Sequence, residues 1–341
     1  MEITKDSIRL AVEEESQITS ARRTVAALLK SMNFSEKKIS DVSIIVTELG
    51  TNLIKHCSGG ELIVRVIKVC DYYGLEIISV DNGPGIKDIS LAMKDGFTTA
   101  GTLGGGLGAI KRLSKDFDFY TQAGKGSIFL SRIYDDRFYG EINKHSLEFS
   151  AISIPKDGED VNGDGYDIEF SNTGAILLLV DGLGHGISAF EASTEAIKIF
   201  KNYYTEKVLN LMERINKALF HTRGCAGIIA LINAIDNIVN FVGIGNISAF
   251  IIDDSIRKTM VSQNGIIGEN IFRIKESSYN YNDNSVLIFH SDGISANWNL
   301  KDYPGIEYRD PAILAGILYR DFARGNDDLT VIVGRKKKKA E

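Results

Sequence analysis

Across 341 residues the chain has only three cysteines, Cys57, Cys70 and Cys225, and they are widely scattered. That number and spacing exclude a disulfide framework and a Cys-x-x-Cys metal site, so reduced, half-buried thiols are expected. No apolar run approaches the roughly 18 to 20 residues of a membrane span. Met1-Glu-Ile-Thr-Lys-Asp6 lacks the apolar segment of a signal peptide. These absences point to the cytoplasm and to no membrane partner. Basic charge is not in excess either: the formal net charge is −6. Residues 1–140 carry 18 basic and 18 acidic side chains, and the later residues carry 21 basic against 27 acidic. Such a balance disfavours a duplex nucleic acid and suits cations held by clustered carboxylates. No repeat or low-complexity tract appears apart from Arg335-Lys-Lys-Lys-Lys339. Residues 336–341 are read as a solvated basic tail.

What is present is an ordinary globular composition, 44% hydrophobic and 25% charged. The length exceeds one core of about 150 residues, so two domains are expected. The break falls after residue 134: Tyr134-Asp-Asp-Arg-Phe-Tyr-Gly140 is polar and turn-like, and apolar alternation resumes at Leu147. The expected layout is a first domain over 1–134, a linker over 135–146 and a second domain over 147–335.

In the first domain, apolar residues at helical spacing predict a helix over 18–32 and a second one from a Ser35 cap to about Cys57. Glu48 and Asn52 lie four apart in the second helix and share a face. Strands are expected over 61–69, 75–80, 116–121 and 127–133. Asp81-Asn-Gly-Pro-Gly85, Asp95-Gly96 and Gly101-Thr-Leu-Gly-Gly-Gly-Leu-Gly108 punctuate them, the last opening a helix over 109–113. A glycine-rich loop entering a helix N-terminus can cradle phosphate, because free N–H groups and the helix dipole both favour an anion.

Glu48/Asn52, Asp81-x-Gly83-x-Gly85, Asp95-Gly96 and Gly104-Gly105-Gly106-x-Gly108, in that order, resemble the boxes of the GHKL ATPase/kinase superfamily. The likeness is strongest to the small serine/threonine kinases of bacterial sigma-factor partner switching, of the SpoIIAB, RsbW and RsbT type. The resemblance implies ATP bound with Mg²⁺, Asn52 giving a neutral oxygen to the metal and Asp81 accepting from the adenine amino group. Gly83 and Gly85 would wrap the base, Gly104, Gly105, Gly106 and Gly108 would take the phosphates, and Glu48 would act as base toward an incoming hydroxyl. Lys55 is a surface lysine or a phosphate contact. A histidine kinase would need an acceptor histidine upstream, and none of the five histidines precedes His56.

In the second domain, short β-rich runs surround helices expected over 187–202, 205–221 and 311–323, and Asp164, Asp181 and Asp292 each precede a glycine. Asp327-Asp-Leu-Thr330 adds acids before the final strand. Oxygen ligands without cysteine or spaced histidine select Mg²⁺ or Mn²⁺ over Zn²⁺. The set Asn162-Gly-Asp164, Asp181-Gly-Leu-Gly-His-Gly186, Ser291-Asp-Gly293 and Asp327-Asp-Leu-Thr330 resembles the metal-dependent PPM phosphatases, in the SpoIIE, RsbU and RsbX branch. The resemblance implies two Mn²⁺ or Mg²⁺ ions bridged by the catalytic Asp181. Asp292 and Asp327 would complete one site, and Asp164 with the Gly182 carbonyl the other. Asp328 is an alternative to Asp327. His185 is read as lining the loop, His290 as packing in its strand, and Arg223 as a surface residue.

The implied fold class is α+β, a GHKL (Bergerat) α/β sandwich followed by a PPM-type α-β-β-α sandwich. The implied activity joins a serine/threonine kinase to a phosphoserine/phosphothreonine phosphatase acting on STAS-domain proteins. A sigma factor or another phosphatase is an alternative partner, and a homodimer is compatible with the resemblance. The competing readings make residues 1–134 a nucleotide-dependent binding module or a sensor attached to a phosphatase.

Overall fold

The computed structural model describes residues 2–3, 7–69, 72–88, 106–137, 145–254, 256–271 and 273–337. Cys70, Asp95, Gly96, Gly104, Gly105, most of the linker and the last residues of the basic tail therefore lie outside the described residues. In chain order the elements of the first part are β1 (Glu2–Ile3), β2 (Ile8–Val12), α1 (Glu15–Ser31), α2 (Glu36–Cys57), β3 (Gly60–Val69), β4 (Tyr72–Val80), α3 (Gly106–Leu113), β5 (Asp116–Gln122) and β6 (Gly126–Tyr134). The second part holds β7 (Leu147–Ile154), β8 (Asp164–Phe170), β9 (Gly174–Gly182), α4 (Ile187–Tyr203), α5 (Val208–Ala218), β10 (Cys225–Asn233), β11 (Ile238–Ile244) and β12 (Ser248–Asp253). It ends with β13 (Ile256–Met260), β14 (Ser277–Asn280), β15 (Val286–His290), α6 (Pro311–Phe322) and β16 (Leu329–Lys336).

The chain divides into two compact units. Ser7–Ile142 and Tyr303–Arg320 form one, and Met1–Asp6, Asn143–Asp302 and Asp321–Glu341 form the other. In the first unit β3, β4, β6 and β5 lie side by side in that order, with β2 antiparallel to β3. Ser35 caps α2 by accepting from the Lys38 N–H. The helical stripe then buries Val42, Ile45 and Leu49 against Leu75 and Ile77 of β4. Strand alternation sends Ile78 to the opposite face. There Gly316 of α6 approaches so closely that a Cβ on it would sit 3.0 Å from Ile128 and 3.3 Å from Ile78. Residues 303–320, which the sequence reading counts with the second domain, thus cover the second face of the first unit's sheet.

Charged groups fasten this segment. The Arg132 guanidinium donates to Glu76 at 2.7 Å and to both oxygens of Asp310 at 2.6 and 2.7 Å, while Arg65 also pairs with Glu76. Arg309 donates to Asp118, and the Tyr319 hydroxyl donates to Glu61. Removing one member of a buried ionic network leaves its partner charged and desolvated. Arg132→Met is therefore expected to destabilise this unit by about 3 kcal/mol. A lowered denaturation midpoint of the full chain checks this.

The second unit is built on two antiparallel five-stranded sheets, ordered β14-β11-β10-β9-β8 and β13-β12-β15-β16-β7. Leu177 and Leu179 of β9 point inward with Phe289 and Ile332 of the facing sheet. Ile176, Leu178 and Val180 point outward into a layer with α4 and α5. Burial on both faces explains the unbroken apolar run Ala175–Val180. Two elements depart from expectation. Arg335 and Lys336, read as part of a basic run and its solvated tail, belong to β16, where they pair with Glu148 and Asp283. Cys225, expected to be half-buried, is fully buried, because β10 is a central strand.

Candidate functional site

Strand parity places the acids of the second unit. Tyr166 and Ile168 of β8 face the interior between the sheets, so Asp164, two residues earlier, points the same way. Leu177 and Leu179 fix the same face for Asp181, and the two aspartates are direct cross-strand partners. Asp292 follows β15 and Asp327 and Asp328 precede β16, which pairs with β15. Asp164, Asp181, Asp292 and Asp328 are pushed up from the carboxylate range, by burial first and then by the charges of neighbouring acids. Burial, and then the Asp164, Asp292, Asp327 and Asp328 charges, push Asp181 well up from the carboxylate range. Burial also pushes up Asp164 against the hydrogen bonds it accepts from Ser291 and Thr330. Asp292 is raised by burial and Asp327, with Arg324 and an Asn246 hydrogen bond of 2.7 Å opposing.

The glycines that follow the acids let main chains approach. A Cβ on Gly182 would lie 2.3 Å from the Ala189 carbonyl oxygen, and one on Gly293 would lie 2.1 Å from that of Asp328. These glycines seat α4 and the 327–328 turn on the acid loops. The 327/328 ambiguity has a structural aspect too. The Asp328 carboxylate accepts from the Lys156 and Gly163 N–H groups and is 2% exposed. Asp327 is half-buried and adds its charge to the field at Asp181 and Asp292.

The donors fit a hard divalent cation in kind. They are all oxygens, they carry unbalanced negative charge, and the buried Asp164 Oδ1 and Asp328 Oδ2 have no hydrogen-bond partner. Among the described residues no three such side chains converge closely enough to enclose an ion as they stand. Asn162, Ser291 and Asn246 brace the cluster: Asn162 accepts from the Asp164 N–H, the Ser291 hydroxyl donates to Asp164 at 2.6 Å, and Asn246 holds Asp292. The positioning role of Asn246 has no signal in the sequence, because it sits 46 residues from its partner. His185 lines the loop and contacts Glu159 at 2.5 Å. Arg223 is exposed as expected, with its guanidinium over Gly184.

His290 is packed, as its strand position suggests, and has both ring nitrogens committed. Nδ1–H donates to the Ser291 carbonyl, and Nε2 accepts from the Trp298 indole at 3.3 Å. Burial lowers its pKa to about 4. The folded state therefore binds fewer protons than the unfolded state between about pH 6.5 and 4, and stability falls as pH drops through that window, by about 3 kcal/mol in full. The acids act with the opposite sign: their raised affinity stabilises the metal-free fold at low pH and is lost as pH rises. His290→Leu is expected to flatten the acid side of the melting-temperature profile between pH 6.5 and 4.5, read against wild type by calorimetry.

In the first unit, Glu48 and Asn52 project from α2 toward the start of α3. A Cβ on Gly106 would lie 2.9 Å from the Glu48 carboxylate and 3.9 Å from the Asn52 amide oxygen. Helix α3 begins at Gly106, three residues before the expected start, and Gly108 is buried in its first turns. Asp81, 4% exposed, follows the end of β4 and accepts from the Gly83 N–H at 2.8 Å and the Ser127 N–H at 3.1 Å. Gly85, at φ +71°, passes where a side chain would strike the Gln122 carbonyl. Cys57 lies against Gly83, and burial, then Asp81, push its thiol up to about 12. His56 and Lys55 are exposed in the last turn of α2. The structure thus brings Glu48, Asn52 and Gly106 together and places Asp81 with Gly83, while Gly104 and Gly105 lie outside the described residues.

Comparison with known proteins finds a match for each part of the chain. The family of histidine kinase-like ATPase domains matches residues 10–130, and the stage II sporulation protein E (SpoIIE) family matches residues 171–336. The serine/threonine-protein kinase RsbT of Bacillus subtilis (strain 168) is 32% identical over 122 residues, 36% of this chain and 92% of that protein. The phosphoserine phosphatase RsbX of the same organism is 26% identical over 200 residues, 57% of this chain and 97% of that protein. A crystal structure of RsbX in complex with magnesium shares the fold at a TM-score of 0.51 and 24% identity, over 58% of this chain and 98% of that one. The chain belongs to the RsbT family of histidine kinase-like ATPase domains and joins to that domain a SpoIIE-type PPM phosphatase domain homologous to RsbX.

Proposed function

We propose that the chain is a bifunctional partner-switching regulator, which phosphorylates a serine or threonine of a STAS-domain protein with ATP and removes such a phosphate by hydrolysis. The observation that carries the hydrolytic half is the mutual crowding of Asp164, Asp181, Asp292 and Asp327, whose charges need a cation or protons to coexist. Asp164, Asp181, Asp292 and Asp327, with the Gly182 carbonyl, are assigned as the groups that would hold the ions. Bound Mg²⁺ or Mn²⁺ would there supply Lewis acidity toward water and the phosphoryl group. The chain's own residues hold these ligands in place: Ser291 orients Asp164, Asn246 orients Asp292, and Asp328 ties its loop to Lys156 and Gly163.

The kinase half is supported by Glu48 beside Asn52 at the entry to α3, where a substrate hydroxyl can lose its proton to a carboxylate while phosphate rests on the helix N-terminus. Asp81 is assigned to the adenine amino group, and Asn52 to Mg²⁺. A cytoplasmic location follows from the same reading. Phosphate release from a phosphoserine STAS protein should stop in chelator and return with added Mn²⁺. Release that ignores the chelator would remove the hydrolytic half.

A further inference from the structure

We propose that nucleotide in the Asp81 pocket and cations at the acid cluster strengthen each other's binding through residues 319–324, an inference that deepens the bifunctional reading above and rests on it. The route of the chain allows this. Strands β15 and β16 are antiparallel neighbours, which a short hairpin could join. Instead α6 lies between them in sequence, with Asp292 before it and Asp327 after it. Residues 303–320, most of α6 among them, belong to the first unit, and the residues on either side belong to the second. The chain that carries two of the assigned cation ligands therefore passes through the nucleotide-binding unit.

The C-terminal end of α6 is tied on both sides. Within the first unit, Arg320 Nη1 donates to the Asp81 carbonyl at 3.3 Å. The Tyr319 hydroxyl donates to Glu61, whose cross-strand partner Val80 directly precedes Asp81. Asp81 is the carboxylate assigned to the adenine amino group. Within the second unit, the Ser295 N–H donates to the Phe322 carbonyl at 2.8 Å, the Arg324 N–H donates to the Gly293 carbonyl at 2.8 Å, and Ile294 bridges to Ala323. Gly293 follows Asp292 and is pressed against the Asp328 carbonyl, so this clamp sets the loop that carries Asp292. Asp321, Phe322 and Ala323 alone separate Arg320 from Arg324, and no slack loop intervenes to absorb a displacement. A base bound to Asp81 restrains the peptide that Arg320 grips, and ligation at Asp292 restrains the loop that Phe322 and Arg324 grip. Each ligand thereby favours the seated arrangement of 319–324 that the other ligand meets, and linkage makes the effect reciprocal.

The test measures binding of a fluorescent ADP analogue to the full chain at one fixed free Mn²⁺ concentration. ADP fills the pocket but has no γ-phosphoryl group to transfer. Asp181→Ala, which disables the acid cluster, is expected to weaken ADP binding by about fivefold or more, the size of a common coupling between sites. In the Arg320→Ala background the same substitution should change ADP affinity by less than about twofold, because the link is cut. Arg320→Lys should keep part of the difference, since it still offers a donor to the Asp81 carbonyl. Conversely, saturating ADP should lower the free Mn²⁺ needed for half-maximal hydrolysis of p-nitrophenyl phosphate by wild type. If wild type and Asp181→Ala, both shown to be folded, bind ADP equally, or if the difference persists undiminished in the Arg320→Ala background, the coupling through 319–324 is overturned. A wild-type chain that binds no ADP would instead overturn the nucleotide reading, and one with no Mn²⁺-dependent hydrolysis the phosphatase reading, and the coupling with either.

Discussion

Asp181→Ala is expected to lower Mn²⁺-dependent hydrolysis of a phosphoserine protein by at least about a thousandfold, because it removes a carboxylate assigned to hold the ions. The same variant should not lose stability in chelator. Asp181 is held among Asp164, Asp292, Asp327 and Asp328, each of which opposes its ionisation. Deleting it relieves that repulsion, so the melting temperature of the metal-free protein at pH 8 should rise or hold. The upward shift that Mn²⁺ produces in wild type should disappear, since ligand binding stabilises the folded state only where the site is intact. A variant that is inactive because it is unfolded would show neither pattern. Comparing the melting curves with and without Mn²⁺ separates the two causes.

Glu48→Ala is expected to reduce transfer of phosphate from ATP to a STAS partner by about a hundredfold to ten-thousandfold, the range of a lost general base. Nucleotide affinity, measured with a fluorescent ATP analogue, should change by no more than a few fold, because the base is assigned to Asp81 and the metal to Asn52. A large loss of nucleotide binding would mean that Glu48 organises the pocket instead. The closeness of the Glu48 carboxylate to Gly106 makes that alternative concrete. Glu48→Gln keeps the shape without the basicity and should fail in transfer as fully as alanine.

Much of this architecture is legible in the sequence, for physical reasons that differ by element. The stripe Val42, Ile45, Leu49 and the Ser35 cap are local signals, and α2 runs from Glu36 to Cys57 as they predict. Strand β8 is harder to read. Tyr166, Ile168 and Phe170 alternate with Asp167 and Glu169, a period-2 strand signal that the sequence reading leaves unused, but which strand it pairs with is set only by folding. The sequence therefore names Asp164 and Asp181 but not that they are cross-strand neighbours. The periodicity of α6 announces a helix, whereas its seat against Ile78 and Ile128 depends on Gly316 and on the Arg132–Asp310 pair 178 residues apart. The use of Asp328 by Lys156 and Gly163 is likewise a product of folding, and no pattern in Asp327-Asp328 announces it.

The central claim is that one chain both writes and erases a phosphate. It is tested most directly by a time course of label on a STAS-domain partner incubated with labelled ATP, Mg²⁺ and Mn²⁺, comparing wild type, Glu48→Ala and Asp181→Ala. Label should rise and then fall with wild type, accumulate with Asp181→Ala and stay absent with Glu48→Ala. Absence of label with Asp181→Ala, in protein shown to be folded and to bind ATP, would contradict the claim and leave residues 1–134 as a nucleotide-dependent binding module.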